Sequence, residues 1–239
     1  METALHKQLK ALYGGEGAEF EVPVGKYRVD VVAGGRLVEI QHGPLGAIRD
    51  KVRHLLGEHH VTVVKPIVVR KRLVKRAKKG GEVVERRYSP KRGTLLDLFD
   101  DLVHFTRVFP HRRLTLEVAL VEVEEWRYPG HGRRRRWREN DHQVEDQKLV
   151  GVRGTRRFRT GRDLAGLIGC KLPDPFHTGH LAESLDVPRW VAQRVAYCFR
   201  ESGTTQPVGK RGNAWLYRWA ADAVPEAETP IQGGPHSAG

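Results

Sequence analysis

Asp30 and Glu39 stand at a spacing that can bring two carboxylates together around a divalent cation. The stretch that carries them, residues 28–41, reads Arg-Val-Asp-Val-Val-Ala-Gly-Gly-Arg-Leu-Val-Glu-Ile-Gln. Two β-rich runs flank Gly34-Gly35, the signal of a two-residue hairpin turn. Counting outward from the glycines opposes Ala33 to Arg36, Val32 to Leu37, Val31 to Val38 and Asp30 to Glu39. Side chains alternate along a strand. One face therefore carries Val29, Val31, Ala33, Val38 and Ile40, a core face, and the other Arg28, Asp30, Glu39 and Gln41. Opposed carboxylates roughly 5 Å apart repel and want a cation between them. A hard ion with oxygen ligands suits them, Mg²⁺ first and Mn²⁺ as its substitute. Such an ion generates hydroxide near neutral pH and offsets the charge that builds on a phosphodiester during hydrolysis. That chemistry needs ligands held on rigid neighbouring strands.

The elements around the hairpin can supply that rigidity. Leu5, Leu9 and Leu12 recur at helical spacing before Gly14-Gly15. Strands follow over Glu19–Val24, Tyr27–Ala33 and residues 36–41, with Gly43-Pro44 as punctuation. Leu45, Ile48, Val52, Leu55 and Leu56 make one stripe of an amphipathic helix, with Arg49, Lys51 and Arg53 off it. Residues 61–69 are an apolar run apart from Thr62 and Lys65, as in a strand buried on both faces. The order is αβββαβ. Beyond it, residues 70–93 form either a hairpin extension or a loop, 94–103 a helix, 114–128 a long strand, and 129–142 an exposed loop or linker.

From about residue 158 the pattern changes to short helices over 160–168, Thr178–Leu185 and 188–202. Thr178 is the expected cap of the second, and Pro188 suits the first position of the third. A strand, the basic loop Gly209-Lys210-Arg211-Gly212-Asn213 and a second strand come next. Three helices followed by a β-hairpin make a winged helix-turn-helix. Arg189, Gln193, Arg194 and Arg200 lie off the apolar stripe of its third helix, where DNA-binding versions meet the major groove, and Lys210 and Arg211 suit a wing tip on a DNA backbone. Trp215, Tyr217 and Trp219 read as hydrophobic packing.

Composition narrows the partners. The net charge of +13 and pI of about 10.0 point to a polyanion, nucleic acid before membrane. The basic residues concentrate in residues 65–93 and 131–162, the latter including Arg134 and Arg135, whereas residues 1–60 are neutral. No apolar run suits a transmembrane helix and no signal-peptide pattern opens the chain, so a cytoplasmic location is expected. Cys170 and Cys198 read as small reduced core residues. His54, His59 and His60 read as helix-terminal groups, and there is no CxxC, HExxH or phosphate-loop motif.

Asp30 on the second strand, with Glu39-Ile40-Gln41 on the third, within αβββαβ order, resembles the PD-(D/E)XK nuclease superfamily over roughly residues 1–70. Residues 158–220 separately resemble winged helices, and the combination resembles that of a bacterial protein group. The resemblance implies a restriction-endonuclease-like α/β core with a basic β-rich extension. Asp30 and Glu39 are then metal ligands, Gln41 stands at the Lys position as the group that orients the attacking water, and Glu2 is the metal-binding acid of the first helix, with Glu21 the weaker choice. Val29 stands where the name-giving Pro is expected. The domain organisation that follows is a nuclease-like domain over 1–128, a basic linker over 129–157, a winged helix over 158–222 and a disordered tail over 223–239.

The expected function is a Mg²⁺- or Mn²⁺-dependent DNA endonuclease whose winged helix docks duplex. The alternative is a non-catalytic DNA-binding or regulatory protein that keeps a degenerate nuclease fold as scaffold. A homodimer, or a subunit of a larger complex, is a further assembly compatible with either.

Overall fold

The computed structural model describes residues 3–130, 141–168 and 172–224. Helix α1 (Ala4–Gly14) precedes strands β1 (Glu19–Val24), β2 (Tyr27–Ala33) and β3 (Arg36–Ile40). A 3₁₀ turn (Leu45–Ile48) leads into α2 (Arg49–Leu55), then β4 (Val61–Arg76) and β5 (Val83–Tyr88). After α3 (Leu98–Leu102) come two long strands, β6 (Leu114–Pro129) and β7 (His142–Phe158). Helices α4 (Gly161–Ala165), α5 (Thr178–Leu185) and α6 (Arg189–Glu201) and a hairpin of β8 (Thr205–Arg211) and β9 (Ala214–Trp219) complete the described chain.

The αβββαβ order is present, and the large sheet runs β1-β2-β3-β4-β6-β7, with β5 beside the far half of β4. Strands β3 and β6 both run parallel to β4, and the remaining pairings are antiparallel. The apolar run of β4 explains its central place: Val63 and Ile67 enter one core layer and Val64 the other. On one side α1 covers the sheet, with Leu5 and Leu9 fully buried against Val31, Val38, Ile40 and Val64. On the opposite side a single apolar cluster joins Leu37, Val52 and Leu55 to Phe99 of α3 and then to Val195 and Phe199 of α6.

Gly34 and Gly35 both have positive φ, 54° and 73°, which a two-residue hairpin of this hand demands. The register runs Ala33↔Arg36, Val32↔Leu37, Val31↔Val38, as counting gives it, and the regular ladder ends there. Val31, Ala33, Val38 and Ile40 share the expected core face, and Val29 leaves it. Val29 packs in the layer of α2 and Val31 in the layer of α1, although they are two residues apart. The reason is a break in alternation at Asp30. Its carboxylate Oδ2 accepts the Ile40 N–H at 2.8 Å, and Glu21, at the same level on β1, has φ of 54°. The hairpin is thus sandwiched, and Glu39, placed on a solvated face by simple alternation, is 3% exposed.

Other expectations need correction. Residues 142–158 are not a linker but strand β7, paired along β6 from Leu116↔Phe158 to Pro129↔His142. The cap of α5 is His177 rather than Thr178: its Nδ1 accepts from the Gly179 and His180 N–H groups. Pro188 is the cap residue of α6 rather than its first helical position. Residues 70–93 take the hairpin form, β4 with β5. Cys198 is buried and reduced. Cys170, the expected tail from residue 225 onward, and Glu2, Arg134 and Arg135 lie outside the described residues. Among the described residues no helix is long and apolar enough to cross a membrane.

Candidate active site

The site forms where the β2–β3 ladder opens. Asp30 closes the gap with its own side chain, so its Oδ2 is fixed by Ile40 N–H. The other oxygen, Oδ1, lies 3.4 Å from His6 Nε2, which α1 brings over the sheet. Glu39 points into the opposite layer and meets Lys51 of α2, whose Nζ lies 2.5 Å from Glu39 Oε1 and also donates to the Arg28 carbonyl. Oε1 is buried yet accepts no well-directed hydrogen bond. The contact with Lys51 is therefore ionic, and the oxygen keeps acceptor capacity.

The two carboxyls are driven apart electrostatically. Burial pushes Asp30 up, but the His6 contact, the Ile40 N–H and the Lys51 charge outweigh it and hold the group below its usual range. Burial pushes Glu39 up to about 7, against the pull of Lys51 and with the help of the Asp30 charge. Paired groups pushed in opposite directions are how one fold keeps an acid and a base at one pH.

The sign of the Glu39 shift fixes its linkage to stability. A carboxyl whose folded pKa is raised binds its proton more tightly in the folded state, so its contribution falls as pH rises from about 4.5 towards about 7. Urea unfolding of wild type and Glu39→Gln at pH 4.5 and 7.5 measures it. The Gln variant is expected to gain stability relative to wild type at the higher pH, and a gap that does not change with pH refutes the assignment.

Gln41 is not brought to the carboxylates. Its backbone N–H joins Val64 O at 2.8 Å, and its side-chain amide donates to the Pro44 carbonyl at 2.9 Å. The loop after it is clamped from below: Lys65 Nζ donates to the His42 and Gly43 carbonyls and lies 2.8 Å from Asp101 Oδ2, while Asp101 Oδ1 accepts the Leu45 N–H. Glu21 is engaged with Lys10 of α1 and does not join the site. Sequence reasoning missed His6 and Lys51. The only available signal for Lys51 was its position beside Val52 on an amphipathic helix that had to cover the β2–β3 hairpin.

Each carboxylate keeps acceptor capacity of the kind a small hard cation uses, Mg²⁺ being commonly held by one or two carboxylates and several waters, with Asp30 Oδ1 on the α1 side and Glu39 on the α2 side. Among the described residues no group of three or more His, Cys, Asp or Glu side chains is gathered to hold an ion without water.

The basic segments are less available than their composition suggests. Lys71 pairs with Glu125, Arg72 with Glu124, Arg153 with Glu122 and Arg157 with Glu117. The glutamates of β6 thus neutralise cations on both neighbouring strands. In the second unit Arg194 pairs with Asp100 of α3 instead of facing solvent unopposed. Arg189, Gln193, Lys210 and Arg211 are exposed, and Trp215 is exposed on the β8–β9 hairpin rather than packed.

Residues 3–159 match the family model described as "Domain of unknown function (DUF8091)". The match ends one residue after β7 and one residue before the cap of α4. An uncharacterized protein of Treponema pallidum (strain Nichols) is 31% identical over 219 residues, 91% of this chain and 85% of the relative. That length exceeds the sheet unit, so the similarity continues into the helices and hairpin beyond it. No solved structure matches.

Proposed function

Since the chain belongs to the family described as a domain of unknown function (DUF8091), we propose its activity from the site: a metal-dependent DNA endonuclease centred on Asp30 and Glu39. The observation that supports it best is the pair of carboxyls at an opened ladder inside αβββαβ order, one lowered and one raised, with a lysine against the raised one. Asp30 and Glu39 would hold Mg²⁺ or Mn²⁺, which when bound lowers the pKa of a water and withdraws charge from the phosphate.

The chain's own residues have distinct tasks. Ile40 N–H and His6 orient the Asp30 carboxylate. Glu39 must shed its proton to serve as a ligand, and Lys51 favours that form. Once Glu39 is otherwise neutralised, the Lys51 ammonium can turn to a phosphate oxygen or steer a water. This gives Lys51 the role that the family resemblance assigned to Gln41, whose amide instead fixes the loop. The second unit serves as a winged helix that holds DNA through Arg189, Gln193, Lys210 and Arg211.

The second reading is the non-catalytic DNA-binding scaffold. Its specific support is that Lys51 already supplies the cation the carboxylates need, and that Gln41 is turned away. Incubation of supercoiled plasmid with Mg²⁺, Mn²⁺ or EDTA separates the two. Nicking with either metal and none with EDTA is expected. Salt-sensitive binding without nicking under any metal overturns catalysis in favour of the scaffold.

A further inference from the structure

We propose that the outer face of α6 and the β8–β9 hairpin bind single-stranded DNA, with unpaired bases stacking on Trp190, Tyr197 and Trp215. The proposal rests on the DNA reading of this unit and not on cleavage. These rings are 56%, 38% and 46% exposed, although the unit packs its other rings inward: Phe176 lies 6.1 Å from Tyr217 and 5.0 Å from Trp219. The core of α6 is made by Ala192, Val195, Ala196, Cys198 and Phe199, so its outward rings contribute little to folding. Trp190 and Tyr197 are seven residues apart, which puts them two turns along one stripe.

Each of the three rings has a cation over it. Arg194 lies 5.0 Å from the Trp190 ring centre, Arg200 5.4 Å from Tyr197 and Lys210 4.4 Å from Trp215. Arg194 and Arg200 are themselves held by Asp100 and Glu201. They therefore brace the rings rather than neutralise phosphates. Arg189 and Arg211 are exposed and have no carboxylate partner seen among the described residues, so with Lys210 they are the groups for the backbone. Aromatic platforms beside cations are what a strand with unpaired bases requires, since every base offers a π face. Readout of a duplex groove asks instead for free polar side chains that reach base edges, and with Arg194 and Arg200 held by Asp100 and Glu201 this stripe leaves Gln193 for that task.

The test uses the full chain in EDTA and fluorescence anisotropy with labelled oligothymidine, a blunt duplex of equal length, and oligouridine. Oligothymidine is expected to bind at least about tenfold tighter than duplex. Trp190→Ala and Trp215→Ala are each expected to weaken it by roughly 5- to 150-fold, the range for loss of one base-stacking ring. Trp190→Phe and Trp215→Phe keep a ring and should stay within a few-fold of wild type. Duplex bound as tightly as oligothymidine overturns the proposal, as do tighter binding of oligouridine and wild-type affinity in the Ala variants. An Asp30→Asn chain that no longer nicks plasmid but still binds oligothymidine supports it, and separates it from the reading of the catalytic site.

Discussion

Asp30→Asn and Glu39→Gln are each expected to reduce metal-dependent nicking to background, a loss of roughly 10³-fold or more, about 4 kcal/mol of transition-state stabilisation at 1.36 kcal/mol per decade. The amides remove the charge that a divalent ion needs while nearly preserving shape. Choice of variant matters at Asp30, because its Oδ2 is the acceptor for the Ile40 N–H. Alanine there strands a buried donor, at about 1–3 kcal/mol, and confounds chemistry with folding. Asn keeps an acceptor oxygen. Lys51→Met should behave differently from both. It leaves buried Glu39 without its counter-charge, so the carboxyl rises further and metal affinity falls at neutral pH, with partial recovery at higher pH and in Lys51→Arg. Nicking assays paired with thermal melts check these outcomes. Equal nicking by wild type, Asp30→Asn and Glu39→Gln would falsify the assignment.

The second large effect is on stability. Lys65 and Asp101 form an ion pair at 2.8 Å with side chains 9% and 18% exposed, and each also satisfies backbone groups of the loop after Gln41. Removing one partner of a buried pair leaves the other charge uncompensated, at about 3–5 kcal/mol. Partial exposure puts Lys65→Met near the lower end, about 3 kcal/mol. For a chain of this size that lowers the melting temperature by roughly 6–12 °C, at about 2–4 °C per kcal/mol. Lys65→Met combined with Asp101→Asn should recover much of the loss, because no lone charge remains and the amide oxygen still accepts the Leu45 N–H. A calorimetric melt of the single variant within about a degree of wild type would remove the clamp from the account of how the loop is held.

The sequence made the hairpin legible because its turn chemistry is local: two adjacent glycines settle the loop, and the register follows by counting. The two-faced alternation built on that register failed at one residue. A carboxylate that replaces a backbone acceptor is invisible to a period-two pattern, yet it rotates the strand and sends Val29 and Val31 into different layers. Lys51 and His6 stayed hidden for a related reason. Each reaches the site by tertiary packing of a helix across the sheet, and neither departs from an ordinary helical pattern. The charge map misled in the opposite direction. Dense arginine and lysine in β4 and β7 looked available until β6 placed its glutamates between them. The αβββαβ order was readable, whereas β7 passed for a linker, because polar residues and three register shifts against β6 disguise a strand that gains its stability from a long neighbour.

The boundary of the family match at residue 159 invites cutting the chain there. The apolar cluster argues against it. Phe99 packs edge-on against Phe199 at 5.6 Å, and the Cys198 thiol reaches the Phe99 carbonyl. A fragment ending at 159 would present the buried face of α3 to water as a sticky patch, next to the loop that Lys65 and Asp101 clamp. The two units share a seam rather than a hinge. Sequence modularity in this chain does not amount to physical separability, because α6 shares one buried layer with α2 and α3.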